Sequence, residues 1–207
     1  PAFGDLTQTQ PYAGQPISEM TEVRICYDKE NLYLSAVCHD KTPEKIIISD
    51  SRRDASLDAT DAFLFILDTY KDGQNGFVFG TNPAGIEYDA QVDNEGQGSV
   101  NANRQQGGRI GGINLNWDAS WTVKTKVSAI GWSAEFAIPF RTLRYLSGKD
   151  QTWGVNFQRN IQKNNEAAFW SPIPVEFNLH RLSMEGTLTD LELQSPGNLK
   201  VIPYVLG

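Results

Sequence analysis

Residues 60–92 constrain the fold more than any other part of the chain, because they contain three strand-like runs separated by two turn signals. Residues 63–67 form a continuous apolar run, short enough to be a strand that is buried on both faces. Residues 72–76 and 82–85 are rich in Asp, Asn, Gly and Pro, which favour tight turns. From residue 86 to residue 93 apolar and polar side chains alternate, as in a half-exposed strand. The stretch therefore predicts a three-stranded meander.

Strand patterns extend to both sides of this meander. Residues 22–39 predict a hairpin that turns at Lys29 and Glu30, and a short strand is expected at 46–49. Further strands are predicted at 121–127, 132–138, 153–160, 167–170 and 186–193. In the first of these, Val127 is expected to face the core.

Residues 140–146 predict one short helix, because Phe140, Leu143 and Leu146 are spaced as on one helical face. The alternation of strands and helices that builds a parallel sheet is missing. The predicted fold class is therefore all-β: an antiparallel β-sandwich, immunoglobulin-like or jelly-roll-like, with one short helix near 140–146. Residues 93–116 are polar and rich in glycine, which predicts a flexible surface loop.

Two cysteines, Cys26 and Cys38, lie in the predicted hairpin. The register that pairs Val23 with Ala36 puts Cys38 on the apolar face with Leu34 and puts Cys26 on the other face. Side chains on opposite faces cannot be bridged without distorting the backbone. Free, mostly buried thiols are therefore predicted.

Length and charge narrow the possible functions. The 207 residues suit one large domain, and the net charge is −7. Binding to nucleic acid or to anionic lipid by charge would need a basic surface, so both classes are disfavoured. No apolar run approaches the length of a membrane-spanning helix. The opening residues, Pro1-Ala2-Phe3, read as the middle of a longer protein.

The motifs of common enzymes are missing. The chain has no Gly-x-Ser-x-Gly nucleophile motif, no phosphate-binding loop and no zinc-ligand spacing. Glu135 is the best candidate for the acid of a glycoside hydrolase, but it has no recognisable partner carboxylate. No spacing typical of haem ligands is recognisable among Met20, His39, His180 and Met184. The chain itself is therefore predicted to be non-catalytic, and any hydrolase activity would come from another domain.

Calcium is the metal that the chain could best hold. Asp68, Asp72 and Asn75 place hard oxygen donors around one predicted turn. The spacing is not that of an EF-hand loop, and the alternative is that Asp72 and Asn75 only hydrogen-bond the turn backbone. Both interpretations remain open from the residues alone, and no other cofactor is indicated.

An amide-rich strand face is the second candidate site. Asn156, Gln158 and Asn160 are predicted to project from one face of a strand, with Arg159 and Trp170 close in sequence. Aromatic rings stack on the C–H faces of sugars, and amides both donate to and accept from hydroxyl groups. The alternative is a sandwich edge with solvated amides and a core tryptophan.

The order of these segments resembles a known family. VRICYDKENLYLSAVCHD, DAFLFILD, GWSAEFAIPF and WGVNFQRN resemble landmarks of family 9 carbohydrate-binding modules. The segments LDTYKDGQNGFVFGTNPAGIEYDA, WDASW and IPFRTLRY are similar to a variant found N-terminal to an outer-membrane β-barrel in bacterial proteins of unassigned function. The resemblance covers most of residues 20–193. It implies a β-sandwich, xylan or another glycan as ligand, and structural calcium.

The resemblance also implies particular site residues. Family members hold sugar between two tryptophans, and Trp170, in FWSP, matches one of them. Asn156 and Gln158, in GVNFQRN, match the amide-bearing strand. The second tryptophan should lie in the loop before Asp61, but that loop, SRRDASLDATD, has no aromatic residue.

The function expected from these features is carbohydrate binding by a bacterial envelope protein linked to polysaccharide catabolism. A carbohydrate-binding-module-like sandwich is expected at 1–194, with a linker at 195–207 that leads towards a barrel strand. The partners are then an oligo- or polysaccharide and the protein's own C-terminal barrel, and the location is the periplasm or the outer-membrane surface. The alternative function is a structural or interaction module that docks on that barrel.

Overall fold

The computed structural model describes residues 3–97, 109–146 and 148–193, and for residues 109 and 110 it describes the backbone alone. The strands in these ranges are β1 (Thr7–Gln10), β2 (Thr21–Tyr27), β3 (Asn31–His39), β4 (Ala62–Asp68), β5 (Gly76–Thr81), β6 (Tyr88–Val92), β7 (Arg109–Ile110), β8 (Ile113–Asn114), β9 (Thr122–Ser128), β10 (Gly131–Pro139), β11 (Asp150–Ile161), β12 (Glu166–Phe169) and β13 (Gly186–Glu192). Single 3₁₀ turns lie at Pro43–Lys45, Asn94–Gly96, Phe140–Thr142, Gln162–Asn164 and Leu182–Met184. Within the described ranges, no helix is long and apolar enough to cross a membrane.

Two antiparallel sheets form the predicted all-β sandwich. Among the described residues, nine strands form the larger sheet in the order β1-β12-β11-β4-β5-β6-β8-β7, with β13 also paired to β11. The smaller sheet has the order β2-β3-β10-β9. Because β11 is long, it pairs with β13 along its first half and with β12 along its second half. The predicted linker at 195–207 lies outside the described residues.

Strand β4 is buried on both faces, as its continuous apolar run predicts. Phe63, Phe65 and Leu67 belong to the core between the two sheets. Leu64 and Ile66 point to the outer face of the larger sheet, where they join a second apolar cluster under the loops. The larger sheet is therefore covered on both faces, and loops must cross its outer face.

The hairpin of β2 and β3 has the predicted register, with Val23 paired to Ala36. The prediction of two free thiols is confirmed. Cys38 is buried, and burial raises the pKa of its thiol to about 11. Cys26 is exposed, so the expectation that both thiols are buried is wrong for this residue. The outer face of the smaller sheet is open to solvent, which is why Cys26 is accessible.

The helix predicted at 140–146 is wrong. A single 3₁₀ turn at Phe140–Thr142 is followed by extended chain, and Leu143 has φ −89° and ψ 151°. Leu143 and Tyr145 are buried whereas Arg144 and Leu146 are exposed. This burial has a period of two, so packing against the core selects an extended conformation over the helix that the residue spacing suggested.

Two further expectations are corrected at the margins of the sheets. Residues 46–49 form no strand, although the Ile47 amide donates to Asp61 Oδ2 at 2.9 Å. Val127 is exposed, because β9 is the edge strand of the smaller sheet. The predicted loop at 93–116 contains the short strands β7 and β8, and its residues 98–108 lie outside the described part of the chain.

Candidate functional site

A cleft of about 300 Å³ opens on the outer face of the larger sheet, at the ends of β1, β11 and β12. We call it the amide cleft, after the side chains that line it. Its lining residues are Thr9, Gln10, Asp58, Gln158, Asn160, Gln162, Asn165, Glu166, Ala167, Phe169, Phe177 and Asn178. The cleft is formed where the loop around residue 58 and the loop around residue 177 cross the sheet and leave part of the strands uncovered.

Gln158 and Asn160 point into the amide cleft because they alternate along β11 with inward-facing neighbours. Gln158 Nε2 donates to Asn160 Oδ1 at 2.8 Å, and Asn160 Nδ2 donates to the Leu57 carbonyl at 3.1 Å. Asn160 is thereby fixed by its neighbours. The carbonyl oxygen of Gln158 remains able to accept a hydrogen bond from a ligand.

Phe177 supplies an aromatic wall of the amide cleft and is 38% exposed. The Arg181 guanidinium lies 4.6 Å from the centre of its ring, a cation–π contact. Arg181 Nη1 is paired with Glu95 Oε2 at 2.8 Å, so the guanidinium is held in place. Asn178, next in sequence, adds an exposed amide to the same wall. The wall therefore offers a ring and a hydrogen-bonding group side by side.

The charge of the amide cleft is negative. Glu166 is buried, and its oxygens accept hydrogen bonds from the Ser18 amide at 2.8 Å and the Ser18 hydroxyl at 2.5 Å. Asp58 is exposed and accepts a hydrogen bond from the Ser56 hydroxyl at 2.8 Å. The described lining contains neither Lys nor Arg. Such a cleft suits uncharged groups and disfavours anionic ones.

Asn156 and Arg159, two of the predicted site residues, do not line the amide cleft. Asn156 is buried and forms two hydrogen bonds with the backbone of Ser171. Asn156 Nδ2 donates to the Ser171 carbonyl at 2.9 Å, and Asn156 Oδ1 accepts from the Ser171 amide at 2.8 Å. Arg159 is fully buried on the core side of β11, over the ring of Trp132. The prediction that Arg159 contacts a ligand on the surface is corrected, because alternation along the strand turns it inward.

Trp170 lies on the other face of the sheet from Gln158 and Asn160. Its amide pairs with the Phe157 carbonyl at 3.0 Å, which places both side chains on the core side. Its ring packs edge-on against Phe3 at 5.3 Å and tilted against Phe157 at 5.5 Å. The structure therefore does not bring Trp170 together with the amides, and Trp170 does not line the amide cleft.

The predicted metal ligands are engaged in holding the turn between β4 and β5. Asp68 accepts hydrogen bonds from the amides of Tyr70 at 3.1 Å and Gly73 at 2.7 Å. Asp72 accepts from the amides of Gln74 and Asn75, each at 2.8 Å. Among the described residues, no three His, Cys, Asp or Glu side chains converge as metal ligands. The geometry is that of a hydrogen-bonded turn, and structural calcium stays a prediction.

The other residues considered for chemistry are dispersed. Glu135 is exposed on the outer face of the smaller sheet, across β10 and β9 from Lys124, and it does not line the amide cleft. Burial lowers the pKa of His180 to about 4, so its imidazole is neutral at pH 7. His39 Nε2 lies 3.0 Å from Glu22 Oε1 at the rim of the smaller sheet.

Sequence reasoning missed the residues that loops bring to the amide cleft. Phe177 and Asn178 lie in a loop after Pro172 and Pro174, far from β11 in sequence. An adjacent aromatic and amide in a loop is the signal that could have identified them. Gln10 and Asp58 carry no such signal, because only the folded chain brings them near Gln158.

Comparison with known proteins supports the fold. No protein-family model and no curated protein matches the chain. A proposed carbohydrate-binding protein from Bacteroides uniformis has 16% sequence identity and a TM-score of 0.65, with 91% of this chain and 85% of that one covered. A family 9 carbohydrate-binding module from Caldicellulosiruptor kristjanssonii, solved with cellotriose, has 13% identity and a TM-score of 0.53, with 100% and 88% covered. At these identities the similarity establishes a shared fold.

Proposed function

We propose that this protein is a non-catalytic carbohydrate-binding domain whose ligand lies in the amide cleft. The observation that carries the proposal is the convergence of Gln158, Asn160, Asn178 and the Phe177 ring on one cleft. Paired sugar hydroxyls need groups that both donate and accept, which amides do, and the apolar face of a pyranose stacks on an aromatic ring. The fold is also that of a module solved with cellotriose.

The negative lining of the amide cleft favours a neutral sugar over an acidic one. Asp58 and Glu166 would repel a carboxylate, while they can accept hydrogen bonds from hydroxyl groups. The ring of Phe177 replaces, in this proposal, the two-tryptophan clamp that the family resemblance implies. Trp170 then contributes by packing, since its ring lies on the core side of the sheet.

Isothermal titration calorimetry with glucose, cellotriose, xylotriose and chitotriose tests the proposal. We expect binding of at least one neutral sugar, and Gln158→Ala and Phe177→Ala should each weaken it by about tenfold, as loss of one hydrogen bond or one stacking contact would. Val175→Ala is the matched control, because Val175 is exposed in the same loop but does not line the cleft.

No heat with any of the four sugars would refute the proposal. If Phe177→Ala and Val175→Ala lowered the sugar affinity equally, the amide cleft would not be the binding site. A chromatographic assay of the oligosaccharides tests whether the domain hydrolyses them. Both the wild type and Glu135→Gln should leave the oligosaccharides uncut.

Calcium, location and partner are finer proposals that rest on the sequence resemblance. We infer a bacterial envelope location, a link to polysaccharide catabolism and structural calcium. Metal analysis of the purified protein, together with the melting temperature before and after EDTA, checks the calcium. A melting temperature unchanged by EDTA in a metal-free protein would contradict it.

The alternative function, docking on the protein's own outer-membrane β-barrel, rests on the same resemblance. Co-purification of residues 1–207 with the separately produced barrel is the direct test. Retention of the two together would support docking, and independent elution at micromolar concentrations would count against it.

A further inference from the structure

A second cleft of about 300 Å³ lies at the turn between β4 and β5. We call it the turn cleft, and its lining residues are Tyr70, Asp72, Asn75, Gly76, Phe77, Gln91 and Arg144. It is separate from the amide cleft. In the β4–β11 register, Asn160 of the amide cleft pairs with Ala62 at the start of β4, whereas the turn cleft follows Asp68 at its end. The segment LDTYKDGQNG that forms it has no part in the proposed neutral-sugar site.

The turn cleft has a free positive charge. Arg144 is exposed and lines the cleft, and its guanidinium forms no ion pair with any described residue. Its backbone is fixed, because the Thr69 hydroxyl donates to the Arg144 carbonyl. The segment after β10 is thereby tied to the turn, which keeps the backbone of Arg144 beside the cleft that its side chain lines.

The carboxylate in the lining, Asp72, keeps its charge but forms no ion pair with Arg144. Both carboxylate oxygens of Asp72 accept hydrogen bonds within the turn. Oδ1 accepts from the backbone amides of Gln74 and Asn75, and Oδ2 accepts from Asn75 Nδ2, each at 2.8 Å. The carboxylate is therefore directed onto the turn backbone. The guanidinium fork remains available for an anion from outside, and carboxylates are the anions that it binds in bidentate geometry.

The other lining groups suit a sugar ring. Tyr70 is 37% exposed, so its ring can stack on a C–H face. Phe77 forms a buried apolar floor, and its ring packs at a tilt of 36° against Trp117, with 4.9 Å between the ring centres. Gln91 lies across β5 and β6 from Phe77, on the same face, and adds an amide for hydroxyl groups. A carboxylate, with a single negative charge, matches one guanidinium more closely than a phosphate monoester, which carries more than one negative charge at pH 7.

We propose that the turn cleft is a second saccharide site, which binds an acidic sugar residue, a hexuronate, by its carboxylate on Arg144 and its ring on Tyr70. This site does not depend on the amide cleft. The two clefts would differ in the charge of the sugar residue that they bind. The described lining of the amide cleft holds carboxylates and no cation, whereas that of the turn cleft holds Asp72 and also an arginine that forms no ion pair with a described residue. One domain could then hold a polysaccharide that carries both neutral and uronate residues.

Titration of the ¹⁵N-labelled protein with methyl glucuronoside and methyl glucoside, followed by NMR, is the test. These probes differ only in the carboxylate. The glucuronoside should shift the amides of residues 70–77 and the Nε resonance of Arg144, with an affinity about tenfold above that of the glucoside at low salt. Added salt should weaken binding of the glucuronoside but not that of the glucoside, because only the glucuronoside is charged.

Arg144→Gln should lower the affinity for the glucuronoside to that for the glucoside, and Tyr70→Ala should weaken both. Arg141→Gln is the matched control, since Arg141 is exposed on the same segment but does not line the turn cleft. It should leave both affinities unchanged. These variants change side chains at the surface, and their unaltered spectra away from residues 70–77 and 144 verify folding.

Four results would overturn the proposal. The two glycosides could bind equally, or Arg141→Gln could lose as much as Arg144→Gln. Acetate or a short acidic peptide could shift residues 70–77 with the affinity of the glucuronoside, which would show recognition of a bare carboxylate. The glucuronoside could instead shift only residues around Gln158 and Phe177, which would place it in the amide cleft. Failure of neutral sugars to bind in the amide cleft would not affect the proposal for the turn cleft.

Discussion

Glu185 lies beside Asp68 with a side chain that is only 2% exposed, and its Oε1 accepts a hydrogen bond from the Lys71 ammonium at 3.2 Å. The carboxyl group rests directly on the Cα of Gly154, where a larger residue would overlap it. Burial and the nearby Asp68 charge raise the pKa of Glu185 from an ordinary value of 4.5 to about 8. The folded protein thus holds a proton at neutral pH that the unfolded chain releases.

The free energy of unfolding should fall as the pH rises from about 5 to about 8. The folded state binds the proton of Glu185 more tightly than the unfolded chain does. The stabilisation that results is present at low pH and is lost as the group ionises, by at most ~1.4 kcal/mol per pH unit. Glu185→Gln should flatten this dependence, and urea denaturation at several pH values measures it. Glu135→Gln, an exposed control, should retain the slope of the wild type. Identical slopes in all three proteins would contradict the assignment.

At the scale of elements, β12 and β13 pair with the two halves of β11, and the indole ring of Trp170 packs between the end of β12 and the start of β13. Trp170 follows β12 and packs directly over Gly186, the first residue of β13. A Cβ at position 186 would overlap the six-membered ring of Trp170. The glycine is needed here for close approach, since it lets β13 come near enough to pair with β11 while the indole covers it.

Gly186→Ala should lower the free energy of unfolding by about 2 kcal/mol, the usual cost of overpacking. Chemical denaturation measures this. In the double variant with Trp170→Leu the cost of Gly186→Ala should shrink, because the smaller side chain leaves room for the methyl group. Gly4→Ala serves as control, since a Cβ there would meet only the Thr21 carbonyl oxygen at 3.6 Å. An unreduced cost in the double variant would refute the contact.

At the scale of the whole molecule, a buried charge connects the two sheets. Arg159 of the larger sheet lies 5.1 Å from the ring of Trp132 in the smaller sheet, and its Nη2 is 3.5 Å from Asp61 Oδ1. Both members of the pair are fully buried. Burial raises the pKa of Asp61, although a hydrogen bond from Ile47 and the charge of Arg159 oppose the shift. Neither charge can be removed alone without leaving the other unpaired in the core.

Arg159→Met and Asp61→Asn should each destabilise the protein by about 3–5 kcal/mol, as removal of one partner of a buried pair does. The double variant should cost clearly less than the sum of the two, because it buries no unpaired charge. Urea unfolding of the four proteins completes the cycle. Arg24→Met, at the solvent-exposed pair with Glu22, should leave the free energy of unfolding unchanged within error. Additive losses would show that the pair is uncoupled.

The sequence by itself determined the all-β class, most of the long strands and the faces of the central ones. Alternation and turn residues are local, so the register of Val23 with Ala36 and the doubly buried run at 63–67 could be read without the fold. Gln158 and Asn160 were found for the same reason, since the period of two places them on one face.

Tertiary structure alone decided what each face meets. Packing of Leu143 and Tyr145 against the core turned a helical spacing into extended chain. Loop crossings brought Phe177 to the amides, and strand pairing put Trp170 on the opposite face. Proximity in sequence says nothing about which side of a sheet a later segment returns to. That depends on pairings between distant residues, whose free energy is distributed over the whole core.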